Sequence, residues 1–398
     1  MSSTAAHKRS IRSQRLLDLP PYLFIEIDRK RRAKIAAGAD VINLGVGDPD
    51  RPTPSFIIDA MAEAIRDPRN HPYPFDAGHP DFRQAAARFL KRRFGLSVDP
   101  AKHILTCIGS KDGIAHLPLA VVNPGDAVLG ADIGYPVYRS GAIFAGAEYI
   151  EMPLSEERGW LPDLDAIEPA SLERARLMWV NHPGNPTAAV ADLDFYARAA
   201  RLCAEHEIIL ASDNAYSEVF FEKQPPSMWQ VHGLKIDEFP GIEFHSLSKT
   251  FNMTGWRIAF AVGHPEVIAA LGAVKGNCDS GQFNAIQQAG AVALDHSDHP
   301  EVVAMRDRYR QRRDVLCAGL KSIGVNVKPP SASFFVWAPC PAAYDSFAFC
   351  SRCLEEANVV FVPGGGFSPR ANHYFRAALT VEVERIAEVI DRLKRLNW

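Results

Sequence analysis

Over the middle two-thirds of the chain, short apolar runs alternate with longer amphipathic stretches. Ala127–Gly130, Leu177–Val180, Ile208–Ala211 and Ile258–Val262 are four to five residues long, a length and character that suit strands buried on both faces of a sheet. Between them lie stretches with helical spacing such as Asp194–His206, and turn chemistry such as Asn123-Pro124-Gly125-Asp126 marks the boundaries. This alternation predicts an α/β fold with a mostly parallel sheet covered by helices.

After Asp295 the pattern changes. A long charged helix over Pro300–Leu320 leads to strand-like Ser333–Ala338, a helix near Ser346–Ala357, strand-like Val359–Val362 and a final helix over Val381–Leu396. That reads as a smaller α+β unit. The expected division is therefore an arm and part of the small domain in residues 1–50, a large domain in 51–294 and a small C-terminal domain in 295–398. No internal repeat or low-complexity linker interrupts it.

Composition narrows the function classes. With 398 residues the chain exceeds one ordinary core. Its 47% apolar and 23% charged residues are ordinary for a globular protein. A net charge of −3 provides no field for nucleic acid or anionic lipid, and no apolar run approaches the ~20 residues of a membrane span. Met1–Arg15 is polar and basic, which reads as an arm and not as a secretory signal. Seven unpatterned cysteines suit a reducing cytoplasm. The Cys350-Ser351-Arg352-Cys353 pair lies in a helical pattern and reads as core packing. Asp295-His296-Ser297-Asp298-His299-Pro300 reads as a solvated loop, so no metal site is expected.

Polar residues that suit cofactor chemistry follow the apolar runs one after another. In an open α/β sheet, ligands gather at the carboxyl ends of the strands. After Ile104–Ile108 comes Gly109-Ser110-Lys111-Asp112-Gly113, where a helix start with Ser110 and Lys111 would cradle a phosphate. Asp132-Ile133-Gly134-Tyr135 offers an aromatic to lie on a pyridine ring. Asn185 stands bracketed by prolines in His182-Pro183-Gly184-Asn185-Pro186. Asp213, three residues before Tyr216, sits where a carboxylate pairs with a pyridinium nitrogen while the phenol reaches the ring oxygen. Then comes His245-Ser246-Leu247-Ser248-Lys249-Thr250, with Arg257 eight positions past Lys249. A lysine that forms an imine with an aldehyde cofactor needs such a cramped, hydroxyl-lined seat, and the serines and arginine suit a phosphate. The ordered set points to pyridoxal 5′-phosphate (PLP).

On these residues the chain resembles the fold type I, aspartate-aminotransferase-like PLP enzymes over nearly its whole length. Asn185-Pro186-Thr187, Asp213-x-x-Tyr216 and Ser246-x-Ser248-Lys249 with Arg257 carry the resemblance. Pro20-Pro21-Tyr22-Leu23-Phe24, Gly45-Val46-Gly47-Asp48-Pro49-Asp50, Ile108-Gly109-Ser110-Lys111 and Phe251-Asn252-Met253-Thr254-Gly255-Trp256-Arg257 are similar to the LL-diaminopimelate aminotransferase branch and its alanine-type neighbours.

The resemblance implies the PLP-dependent transferase fold type I, a seven-stranded sheet and a small α+β domain. It implies Lys249 as the cofactor-bound catalytic lysine, Asp213 on the ring nitrogen, Asn185 and Tyr216 on the ring oxygen, and Tyr135 stacked on the ring. Ser110, Lys111, Ser246, Ser248 and Arg257 would hold the phosphate. Tyr73 would reach the phosphate of a neighbouring subunit in a homodimer. Arg376 would fork onto the substrate α-carboxylate, with Tyr22, Gly47 and Asn185 lining the substrate pocket. The implied reaction is amino transfer between LL-2,6-diaminopimelate/tetrahydrodipicolinate and 2-oxoglutarate in lysine biosynthesis. Alternatives are an alanine- or aspartate-type transaminase, a PLP-dependent carbon–sulfur lyase, and a non-catalytic PLP-binding regulator. Arg257 and Asp213-Asn214-Ala215-Tyr216 favour the transaminase over the lyase, and the short arm leaves no room for a regulator's helix-turn-helix module.

Three positions depart from the family pattern. Ala188 stands where a glycine is usual, Pro363-Gly364-Gly365-Gly366-Phe367 has an extra glycine where threonine or isoleucine is commoner, and Asp279-Ser280-Gly281 stands where some diaminopimelate enzymes have Asn-Gly. The last is expected to bear on the substrate pocket.

Overall fold

The computed structural model describes residues 10–20, 25–74 and 77–396. Twelve strands among them form three sheets. The large sheet contains β2 (Ile104–Cys107), β3 (Ala127–Ala131), β4 (Glu148–Met152), β5 (Ala175–Asn181), β6 (Ile209–Asp213), β7 (Gly241–Ser246) and β8 (Ala259–Gly263) in the order β2-β8-β7-β6-β5-β3-β4. β8 runs antiparallel to both of its neighbours, and the remaining pairs are parallel.

Alternate residues of these strands feed two separate cores, which is why the strands appear as unbroken apolar runs. Met178 and Val180 of β5 face one core with Leu210 and Phe260. Leu177 and Trp179 face the other with Ala211 and Phe244. Helices Pro80–Phe94, Leu193–Glu205 and Asn284–Asp295 contribute to the first core, and helices Ser110–Val121, Val137–Ala145 and Pro265–Cys278 to the second. Leu193–Glu205 starts where Asp192 accepts from Phe195 N at 2.8 Å, a side-chain cap worth about 1 kcal/mol.

A third core lies in the C-terminal part. β9 (Phe335–Pro339) and β11 (Val362–Pro363) flank β12 (Tyr374–Ala378) in an antiparallel sheet. β1 (Ile42–Asn43) pairs in parallel with β10 (Val359–Val360). Helices Pro300–Ser322, Ser346–Ala357 and Val383–Lys394 cover them, and Ile42, Leu44, Ala215 and Tyr216 join the same core. Cys350 and Cys353 are buried in it as free thiols.

The Asp295–Pro300 segment makes structural contacts. Asp295 pairs with Arg88 at 2.7 Å, His299 caps helix Pro300–Ser322, and Phe56 packs against both His296 and His299.

Candidate active site

Five strand ends converge on one cavity of about 390 Å³. The turn after β2 contributes Ser110 and Lys111, and the loop after β3 contributes Tyr135. The loop after β5 brings Asn185, the end of β6 brings Asp213, and the loop after β6 brings Tyr216. The short helix Leu247–Thr250 after β7 brings Ser248 and Lys249, with Ser246 at its cap, and Arg257 follows just before β8. Gly47 and Arg376, from segments associated with the third core, close the cavity.

Lys249 is centrally placed. Its Nζ donates to the Gly47 carbonyl at 3.0 Å and lies 5.5 Å from the centre of the Phe334 ring. Burial lowers this amine to about 8; Arg257 and Arg376 act in the same direction, and Asp48 opposes them. Seats of this kind make lysine a usable nucleophile or base near neutral pH.

At the floor, Asp213 is buried, and its Oδ2 accepts from the Tyr138 hydroxyl at 2.7 Å. Burial raises its carboxyl to about 6, against the lowering effect of that hydrogen bond. Its Oδ1 is buried with no hydrogen-bond partner. An orphaned, buried carboxylate oxygen calls for a donor, and a protonated ring nitrogen is one. Tyr138 is held in turn by stacking on Trp179 at 5.0 Å. Asn181 fixes the neighbouring loops: its Nδ2 donates to Asp213 O at 2.8 Å, and its Oδ1 accepts from Asn185 N at 2.9 Å.

Opposite, the Arg376 guanidinium donates to Asn185 Oδ1 at 2.7 Å and to the Gly45 carbonyl at 2.8 Å. It lies 4.3 Å from the Phe335 ring centre and 5.4 Å from that of Phe367. The two rings fix the plane of the fork, which suits bidentate recognition of a carboxylate.

The remaining end is cationic. Arg257, in the left-handed region at φ 56°, lies so close to Gly109 that a Cβ there would come within 2.2 Å of Nη2. With Gly109 itself at φ 77°, only glycine fits this turn. Arg257, Lys111 and the start of helix Ser110–Val121 make this end suited to an anion. The cavity thus fits PLP: a cationic end for phosphate, an unpaired carboxylate oxygen for the ring nitrogen, and a lowered amine for the aldehyde.

One expected residue is not in this cavity. Tyr73 is 87% exposed and is not part of the lining, and Tyr22 lies outside the described residues. Several contributors gave no reading in the sequence. Tyr138 stands three residues past Tyr135, and Asn181 closes an apolar run; both positions were signals. Phe335 and Phe367 look like ordinary core residues, so nothing marked them. The Asp279 expectation is corrected: this carboxylate pairs with buried Lys275 at 2.9 Å and does not line the cavity. Ala188, in place of glycine, adopts φ 57°, a backbone that costs a side-chain-bearing residue about 1 kcal/mol.

A strand-end cavity with a reactive lysine, an anion-binding turn and a carboxylate-reading arginine defines an α/β enzyme of amino-acid chemistry. The chain belongs to the aminotransferase class I and II family, whose model matches residues 39–393. Members are PLP-dependent transaminases, and this chain is an enzyme of that class, of fold type I. It is 50% identical to the LL-diaminopimelate aminotransferase of Aquifex aeolicus, covering 97% of this chain and 99% of the relative. Identity to the Syntrophobacter fumaroxidans protein of that name is 47%, covering 98% and 99%. The substrate-bound BacF structure from Bacillus subtilis superposes with a TM-score of 0.92 at 37% identity, covering 98% of this chain and 99% of that one. Among the described residues no helix is long and apolar enough to cross a membrane.

Proposed function

We propose that this transaminase moves an α-amino group between LL-2,6-diaminopimelate/tetrahydrodipicolinate and 2-oxoglutarate, a step of lysine biosynthesis. The observation that carries the amino-transfer reading is the meeting of Lys249, Asp213 and Arg376 on one cavity. The relatives' names support the substrate.

In this reading Lys249 would hold the cofactor aldehyde and, when freed, act as the base for the substrate Cα proton. An amine near 8 leaves roughly a tenth of it neutral at pH 7. Asp213 would keep a proton on the ring nitrogen, Asn185 and Tyr216 would contact the ring oxygen, and Tyr135 would stack on the ring. Ser110, Lys111, Ser246, Ser248 and Arg257 would hold the phosphate. When bound, PLP supplies an electron sink for charge at Cα. Arg376, with Tyr22, Gly47 and Asn185, would orient the substrate carboxylate so that the Cα–H bond points toward Lys249.

Tyr73, exposed in a single chain, would complete the phosphate site of a neighbouring subunit in a homodimer; a chain that sediments as a monomer would remove that assignment. Residues 51–294 would form the cofactor-binding domain, and 1–50 and 295–398 the arm and small domain. The separate third core supports this division. Seven free cysteines support a cytoplasmic setting.

The test is a panel of amino donors with 2-oxoglutarate. Turnover with LL-diaminopimelate well above alanine and aspartate is expected. Turnover with alanine alone would make this an alanine-type transaminase, and pyruvate release from cystathionine without a keto-acid acceptor would make it a lyase.

A further inference from the structure

Behind the anion-binding turn lies a charge cluster around one buried lysine that the mechanism above does not use. Lys275, on helix Pro265–Cys278, is 1% exposed. Its ammonium donates to Asp112 and, at 2.9 Å, to Asp279. Asp112 sits in the first turn of helix Ser110–Val121, and the oxygen that meets Lys275 also accepts from Ile108 N at 2.9 Å. Its other oxygen lies 2.8 Å from His116 Nδ1, one turn further along. Asp279 is itself fixed, accepting from Gly281 N at 2.7 Å. Asp112, His116 and Asp279 are grouped as metal ligands would be. Lys275 bonds to both carboxylates, however, and supplies the positive charge directly.

The placement has a consequence for the cavity. A bare carboxylate in the first turn of this helix would oppose an incoming anion at the helix start. Lys275, shared with Asp279, offsets that charge and so leaves the turn more attractive to phosphate. The same carboxylate ties down Ile108, the residue before Gly109, which is pressed against Arg257.

We propose that Lys275 is a positioning residue for the cofactor phosphate: by offsetting the charge of Asp112 and anchoring it, Lys275 holds the Ile108-Gly109-Ser110 turn against Arg257. This inference rests on the PLP reading of the site. It requires no contact between Lys275 and the cofactor.

The test compares PLP with pyridoxal, which lacks the phosphate, in absorbance titrations of apoenzyme prepared from the full-length holoenzyme. Lys275→Met is expected to weaken PLP about tenfold while leaving pyridoxal within about twofold, the scale of one lost charge interaction. Because Lys275→Met leaves the half-buried Asp112 and Asp279 without their ammonium and risks misfolding, two charge-conserving double variants accompany it. Asp112→Asn/Lys275→Met keeps an acceptor for Ile108 N and is expected to bind PLP within about threefold of wild type. Asp112→Ala/Lys275→Met removes the acceptor and is expected to lose about tenfold, again for PLP only. Equal losses for both ligands, or PLP binding by the alanine double variant equal to that of the asparagine one, would overturn the proposal. A wild-type protein that binds neither ligand would instead remove the cofactor reading itself.

Discussion

Asp213 concentrates the site's chemistry in one carboxyl group, and its environment sets a cost as well as a role. Burial raises it from the usual 3.8 to about 6 in the folded chain. Over that interval the folded chain keeps a proton that the unfolded chain has released, so the group's contribution to stability is lost as pH rises from about 4 to about 6. At 1.36 kcal/mol per pKa unit the loss reaches about 3 kcal/mol. In apoprotein, Asp213→Asn removes this cost. Urea unfolding should therefore favour the variant over wild type by about 2–3 kcal/mol more at pH 7 than at pH 4, while turnover falls at least about a hundredfold. A stability difference independent of pH would contradict the burial argument. At this scale much of the site could be read from the sequence, because a polar residue directly after an apolar strand run has few structural reasons to be there. Ser110, Tyr135, Asn185, Asp213, Tyr216 and Lys249 all announced themselves in that way. Phe335 and Phe367, which fix the plane of Arg376, did not, since an aromatic that positions a guanidinium looks like any core residue until the fold brings it there.

Among the elements, helix Pro300–Ser322 does more than cover a sheet. Its Arg312 is fully buried, and both Nη atoms donate to the Asp50 carboxylate at 2.7 Å, with Leu379 O at 3.0 Å. Asp50 ends the Gly45–Asp50 segment, which is also held by Arg376 on Gly45 O, Thr380 on Val46 O and Lys249 on Gly47 O. Asp50→Ala leaves the buried guanidinium with the Leu379 carbonyl and the Glu382 carboxylate 3.1 Å away and should cost about 2 kcal/mol in urea unfolding; a cost under about 0.5 kcal/mol would show the pair to be dispensable. The strands that were legible are those buried on both faces, such as β5 and β8. Edge strand β4 escaped because only Met152 of its five residues is buried, so no apolar run marks it. The two-residue β1 is too short for any period to show, whereas strand-like Val359–Val362 covers β10 and the start of β11, which the structure divides into two short strands.

At the level of the whole molecule, alternation predicted the α/β class and the mostly parallel sheet, but not the strand order or the reversed direction of β8. Both are long-range choices that depend on which strands neighbour one another, and local periodicity carries no record of that. The same limit applies to Arg376 and Gly47, far apart in sequence yet adjoining Lys249. Resemblance supplied them where periodicity could not. All functional roles assigned to the cavity depend on Lys249 being the residue joined to the cofactor. Borohydride reduction of the holoenzyme followed by peptide mass mapping tests this most directly. The expected result is a pyridoxyl-phosphate adduct on Lys249 alone. Label on a different lysine, or none despite bound cofactor, would contradict the account.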